Sequence, residues 1–220
     1  MVVLYSFIPL LLFTVSGLIR AEILELRNQI YILKPLSTLT VIGIALFSFG
    51  SPNANFLYTG FILTALILSF AGDMLLIFQQ NLKVFRIGLV FFLLAHLTYT
   101  AVFSIFGSIS LISAIVSIFL IAIDIFLYLL FKPNLGNLKI PFIAYLFAIS
   151  AMLIQAFSTL NSLSLNRFQA LMIIFGASLF FISDLILALN RFWKPWRYNR
   201  ISLGFYYSGQ FLLALSANYF

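Results

Sequence analysis

Two aspartates stand inside runs that are otherwise apolar. Asp73 lies in Ser69-Phe70-Ala71-Gly72-Asp73-Met74-Leu75-Leu76-Ile77-Phe78, and Asp184 lies in Phe180-Phe181-Ile182-Ser183-Asp184-Leu185-Ile186-Leu187-Ala188-Leu189-Asn190-Arg191-Phe192. A charge at bilayer depth costs about 2.5–3.5 kcal/mol on insertion scales, so a carboxyl in such a run marks a working site by default. Two carboxyls brought together away from water can share one proton, and such a pair can serve as acid and base. The plain alternative is a carboxyl neutralised by a Lys or Arg that reaches down from the membrane surface. Neither aspartate has a partner one helical turn away, so any partner comes from another helix. A third carboxyl, Asp124, sits in a similar run but has no counterpart in the first half of the chain, and the plain alternative suits it better.

Other side chains can join such a site. His96 and Tyr99 fall on nearly the same face of one helix, and Tyr206 and Gln210 lie one turn apart on another. These can hold a lipid headgroup or simply join helices. Lys34, Lys139, Arg191 and Arg200 can hold a phosphate, although as a set they first of all orient the chain in the membrane. Ser183, beside Asp184, has no adjacent base, and there is no Gly-x-Ser-x-Gly elbow, His-Glu-x-x-His motif or phosphate loop. A serine hydrolase is therefore not expected. With one histidine, no cysteine and widely spaced aspartates, the sequence has no recognised metal-ligand spacing, and no metal or other cofactor is expected.

The elements that must position these groups are membrane helices. Of the 220 residues 64% are hydrophobic and 8% charged, and mean hydropathy is +1.17, values outside the range of soluble domains. The net charge of +7 has no basic stripe behind it, so nucleic acid is not an expected partner; membrane lipids are. At about 20 apolar residues per crossing, the chain reads as an all-α polytopic membrane protein with eight transmembrane helices. The expected spans are 3–19, 33–50, 56–78, 86–106, 110–131, 140–160, 169–190 and 201–219. The first lacks the basic start and small-residue cleavage site of a signal peptide, so it reads as a true first helix.

Eleven of the twelve basic residues fall in the odd-numbered loops, and only Arg167 falls on the other side. Short-loop Lys and Arg mark the cytoplasmic face, so both termini are expected outside the cytoplasm, with a bacterial inner membrane as the setting. The even loops, including Ser51-Pro52-Asn53-Ala54-Asn55, carry no charge at their tips. Helices three, five and seven then run inward, which puts Asp73, Asp124 and Asp184 in one layer about 8–10 Å from the inner ends of their helices.

The chain also repeats itself. The stretch from Arg86 to His96 reads against that from Arg200 to Gln210 at an offset of 114, close to the 111 between Asp73 and Asp184. Lys34-Pro35 and Lys139-Ile140-Pro141 open the second and sixth spans in a similar way. One domain built from two parallel four-helix repeats, 1–109 and 110–220, follows. A twofold axis between the repeats would bring Asp73 to face Asp184, with His96 and Gln210 as a second matched pair.

Several of these residues together resemble the YhhN-type membrane proteins, whose characterised members are lysoplasmalogenases. The resemblance rests on Lys34-Pro35, Gly72-Asp73-x-Leu75-Leu76, His96-x-x-Tyr99, Gly176-Ala177-x-x-Phe180-x-x-Ser183-Asp184-x-x-x-Ala188-x-x-Arg191-Phe192 and Tyr206-Tyr207-x-x-Gln210. Asp124 and Trp193-Lys194-Pro195-Trp196 have no place in that pattern. The resemblance implies hydrolysis of the vinyl ether bond of a lysoplasmalogen to a fatty aldehyde and a glycerophospho-headgroup. It also implies catalysis by Asp73 and Asp184 on a lysophospholipid entering from the cytoplasmic leaflet. Lys34, His96, Tyr99, Ser183, Arg191, Tyr206 and Gln210 would bind or orient the substrate, with Asp124 as a further candidate.

Two other functions use similar residues. A proton-coupled transporter of a small molecule or lipid also combines parallel repeats with intramembrane acids. An intramembrane aspartyl protease also pairs two aspartates on separate helices, but Phe70 breaks the Gly-x-Gly-Asp of those proteases and no Tyr precedes Asp184.

Overall fold

Asparagine and serine side chains start four of the helices. Asn55 accepts from the Tyr58 N–H and Asn81 from those of Lys83 and Val84, while Ser110 with Ser113 and Asn166 with Gln169 form reciprocal capping boxes. Each cap satisfies backbone donors that the first turn of a helix leaves over. The computed structural model describes residues 2–51, 54–196 and 198–219, with side chains of the first helix from Phe7 onward. Pro52 and Asn53 of the second loop and Arg197 of the seventh thus lie outside the described residues.

Among the described residues the chain is all-helical. The helices are α1 (Val2–Ile23), α2 (Arg27–Phe47), α3 (Phe56–Leu76), α4 (Leu82–Phe106), α5 (Leu111–Phe131), α6 (Lys139–Ser158), α7 (Arg167–Phe192) and α8 (Ser202–Ser216). Six of them, α2 to α7, are long and apolar enough to cross a bilayer. The protein is therefore a multi-helix membrane protein of the expected class. At 15 residues α8 is short by itself, but single 3₁₀ turns flank it at Asn199–Ile201 and Ala217–Tyr219.

Two expectations about helix ends shift. Lys34 and Pro35 do not open the second helix but lie about two turns inside α2. The chain reverses at Glu25, which takes a left-handed φ of 55°, and the Leu26 N–H bonds back to the Ala21 carbonyl. The new helix must then start at once, through the exposed residues Arg27, Asn28 and Gln29. At the other site, α3 stops at Leu76, so Asp73 lies in its last turn, whereas Asp184 is about two turns from the end of α7.

Helix pairing follows a regular scheme. α3 packs along α4 and α7 along α8, α1 packs on α2 and α5 on α6, and across the chain α2 packs on α8 and α4 on α6. Close approach within the tight pairs depends on glycine. A Cβ on Gly72 would meet the Phe92 ring at 2.7 Å, and one on Gly209 would meet the Gly176 carbonyl oxygen at 2.7 Å. The core between the pairs includes Tyr58, Ile62, Leu66, Phe103, Met152 and Ile173, all fully buried. The outward side of α5 is apolar and exposed at Ile115, Ile118, Phe119, Phe126 and Leu129, as expected of a helix facing lipid.

Candidate active site

Asp73 is held from two directions. From α2, Thr38 Oγ1 donates to Asp73 Oδ2 at 2.9 Å, and Lys34 Nζ lies 3.9 Å from Oδ1. These two residues are one turn apart on the same face of the helix, so both reach the same carboxylate. From α8, the Tyr206 hydroxyl donates to Oδ2 at 2.8 Å. The neighbouring Tyr207 hydroxyl lies 3.2 Å from Thr38 Oγ1. Asp73 and Lys34 are both buried to within a few per cent, and each answers the other's charge in the cavity wall.

Asp184 is held by a different set. The Tyr145 hydroxyl on α6 donates to Asp184 Oδ2 at 2.6 Å, and His96 Nε2 on α4 lies 3.3 Å from the same oxygen and 3.1 Å from the Tyr145 hydroxyl. His96 is fully buried, and its Nδ1 has no hydrogen-bond partner among the described residues. An imidazole in contact with a carboxyl can give it a proton or take one from it. Phe180 stands between the two sets, with its ring 4.7 Å from that of His96 and 5.1 Å from that of Tyr206.

Both aspartates line one cavity of about 700 Å³. It extends to the odd-loop end of the bundle, where Gln79, Gln80, Asn134, Asn190 and Pro195 contribute to its wall. Deeper, the wall is mainly apolar, with Leu89, Phe92, Leu146, Ile149 and Phe181. Such a shape, with a polar mouth and convergent polar groups in an apolar interior, suits one amphipathic small molecule.

The residues singled out from the sequence divide into two groups. Lys34, Ser183, Arg191 and Tyr206 line the cavity together with Asp73 and Asp184. The Arg191 guanidinium carbon lies over the Phe85 ring, 3.9 Å from its centroid, a cation–π contact. His96, Tyr99 and Gln210 are not in the wall. His96 stands behind Asp184, and the Tyr99 hydroxyl donates to Gln210 Oε1 at 2.8 Å within the core. Asp124 is also outside the wall, where it accepts from Ser150 Oγ at 3.0 Å on α6. The expected layer of three carboxyls thus gives two in one cavity and a third apart, because α5 contributes Leu127 to the cavity wall while Asp124 meets Ser150 of α6.

Sequence reasoning missed Tyr145, Thr38 and Glu22. Tyr145 had a usable signal, since it is a hydrogen-bonding side chain within the apolar run of α6. Glu22 lines the cavity and pairs with Arg200, Nε to Oε2, at 3.2 Å. No group of three or more potential metal ligands occurs among the described residues.

A family model, that of the YhhN family, matches residues 29–217. The chain belongs to the YhhN family. The match takes in both aspartates of this YhhN protein and every other cavity-wall residue except Glu22. No solved structure matches the chain.

Proposed function

We propose that this YhhN protein is a lysoplasmalogenase-like ether hydrolase. Its reaction would cleave the vinyl ether bond of a lysoplasmalogen to give a fatty aldehyde and a glycerophospho-headgroup. The observation that carries this reading is that Asp73 and Asp184 stand in the wall of one cavity with an apolar interior, each within a different set of donors. Vinyl ether hydrolysis needs two such groups. A carboxylic acid protonates the β-carbon, turning the C=C–O unit into an oxocarbenium ion. Water then adds to the cationic carbon and loses a proton to a base, and the hemiacetal formed collapses to aldehyde and alcohol. Glycosidases divide the work between two carboxyls in a comparable way.

The surroundings suggest which aspartate does which. Asp73 accepts two hydroxyl hydrogen bonds and has the Lys34 ammonium beside it, so its oxygens are set to accept and to face positive charge rather than to donate. We assign it the carboxylate that faces the oxocarbenium ion. We assign Asp184 the acid: the carboxylate it leaves after protonating the β-carbon then takes the proton of the adding water, directly or through the His96 ring in contact with it, which restores the acid. His96 is then a positioning and relay group rather than one that meets the substrate.

The membrane reading that goes with this function is eight crossings with both termini outside the cytoplasm, in a bacterial inner membrane. The 21 residues from Asn199 to Tyr219 are helical throughout, which supports a crossing by α8. Two parallel repeats are supported by the exchange of packing, since α2 packs on α8 as α6 packs on α4. A lysolipid of the inner leaflet would enter headgroup last, its chain among the apolar residues.

The test is to incubate purified protein with 1-alkenyl lysophospholipid and assay free aldehyde. Wild type and Asp124→Asn should release it, while Asp73→Asn and Asp184→Asn should each lose about 10²–10⁴-fold in kcat. Full activity in either of the last two removes the acid–base assignment. No aldehyde from wild type, together with solute uptake into sealed vesicles, would favour the transporter.

A further inference from the structure

The mouth of the cavity holds a charge pair that the proposed chemistry does not use. Among the described residues Glu22 is the one acidic residue of the wall besides Asp73 and Asp184. Its carboxylate pairs with Arg200, Nε to Oε2 at 3.2 Å, and both residues line the cavity. A guanidinium has five N–H donors and a carboxylate about four acceptor sites. Among the described residues the Nη groups of Arg200 and Oε1 of Glu22 make no other hydrogen bond, so each partner keeps capacity for a ligand. The pair joins α1 to the turn before α8, and its charges lie side by side at the end of the bundle where a headgroup would rest.

We propose that Glu22 and Arg200 read the headgroup, selecting a zwitterionic phosphoester that ends in a primary ammonium. This inference rests on the reading of the cavity as a lysolipid site. A phosphoethanolamine-type headgroup is itself a dipole, and laid antiparallel to the pair it puts phosphate on Arg200 and ammonium on Glu22. Arginine suits the phosphate because its planar fork can donate two parallel hydrogen bonds. Glu22 suits a primary ammonium, which has N–H donors that a quaternary one lacks. An uncharged glycerol headgroup would leave Glu22 unanswered.

The test measures binding separately from turnover. Trp193 and Trp196 are the chain's two tryptophans and flank Pro195 in the cavity wall, so intrinsic fluorescence reports on the mouth. The probes are uncleavable 1-O-alkyl lysophospholipids with ethanolamine, choline or glycerol headgroups. Wild type should bind the ethanolamine probe most tightly. Glu22→Gln should lower its affinity about tenfold relative to the glycerol probe, the size of one lost charge-assisted hydrogen bond. Arg200→Gln should weaken all three probes relative to uncharged 1-O-alkylglycerol. The charge-swapped double variant Glu22→Arg, Arg200→Glu keeps an ion pair between α1 and α8 but reverses the dipole, and it should not restore the ethanolamine preference.

The proposal is overturned if Glu22→Gln weakens every probe equally, if the swapped pair restores the preference, or if wild type has none. Competition by chain-free glycerophosphoethanolamine as strong as by the lysolipid would mark a site for a soluble phosphoester and overturn the lipid assignment. Selective binding without aldehyde release from the alkenyl substrate would sink the hydrolase reading and leave the headgroup site standing.

Discussion

Asp73 and Asp184 line one cavity but, among the described residues, share no hydrogen-bonding partner. Asp73 takes its donors from α2 and α8, and Asp184 from α6 and α4. Each aspartate is thus gripped by the second helix of its own half and the fourth helix of the other half. The two sets are placed alike in helix order, yet the one at Asp73 supplies an ammonium and two hydroxyls while the one at Asp184 supplies an imidazole and a phenol. Pairs of titratable groups with unlike surroundings are how acid and base roles are separated within one site.

Lys34 is the test of the buried charge at Asp73. Lys34→Met leaves the carboxylate in place without its counter-ion, and removing one partner of a buried pair costs about 3–5 kcal/mol. The midpoint of thermal inactivation in detergent should fall sharply. Adding Asp73→Asn to Lys34→Met removes the orphaned charge and should recover most of that stability while leaving the protein inactive. Equal instability of the single and double variants would mean that the pair is not coupled.

Tyr145 should matter for turnover more than for binding. Tyr145→Phe keeps the ring against His96 but deletes the O–H bonded to Asp184. We expect kcat to fall about 10- to 100-fold with KM little changed, the pattern of an interaction that serves the transition state. Tyr99→Phe is the contrast, because its hydroxyl meets Gln210 in the core, away from the cavity. It should cost about 1–2 kcal/mol of stability through the unsatisfied amide oxygen, with aldehyde release largely kept.

Gly209 should be intolerant of any side chain. In Gly209→Ala the new Cβ would stand 2.7 Å from the Gly176 carbonyl oxygen and 3.0 Å from the Phe180 backbone nitrogen, so α7 and α8 must move apart. The expected loss is about 1–3 kcal/mol. Gly60→Ala is the control, since nothing lies within 4 Å of a Cβ there and alanine favours the helix by up to about 1 kcal/mol. Thermal unfolding of the two variants side by side makes the comparison.

The absence of cysteine makes topology directly measurable. Single cysteines at Ser51 or Ser108, on the even-loop side, should react with a membrane-impermeant maleimide added to intact cells. Cysteines at Gln80 or Asn199 should react only after the membrane is opened. The reverse pattern would put the mouth of the cavity on the outer face and exclude entry from the cytoplasmic leaflet.

Much of this protein is written locally. Apolar runs of about 20 residues, asparagine and serine caps, and the placement of Lys and Arg in alternate loops settle the membrane class and most helix limits, because the cost of exposing backbone or charge to lipid acts on each segment by itself. Asp73 and Asp184 stood out for the same reason. What the sequence could not supply is the rotation of each helix. Helices apolar on nearly every side have no polar stripe to show which side faces inward, so that choice falls to packing between helices. Glycines at 72 and 209 bring particular helix pairs into contact, and with them come the outcomes that counting residues missed. Tyr145 reaches Asp184, His96 stands behind the wall, Asp124 turns away toward Ser150, and Glu22 of α1 enters the mouth. Residue type and depth were therefore legible in one dimension, whereas partnership depended on the approach of helices distant in sequence.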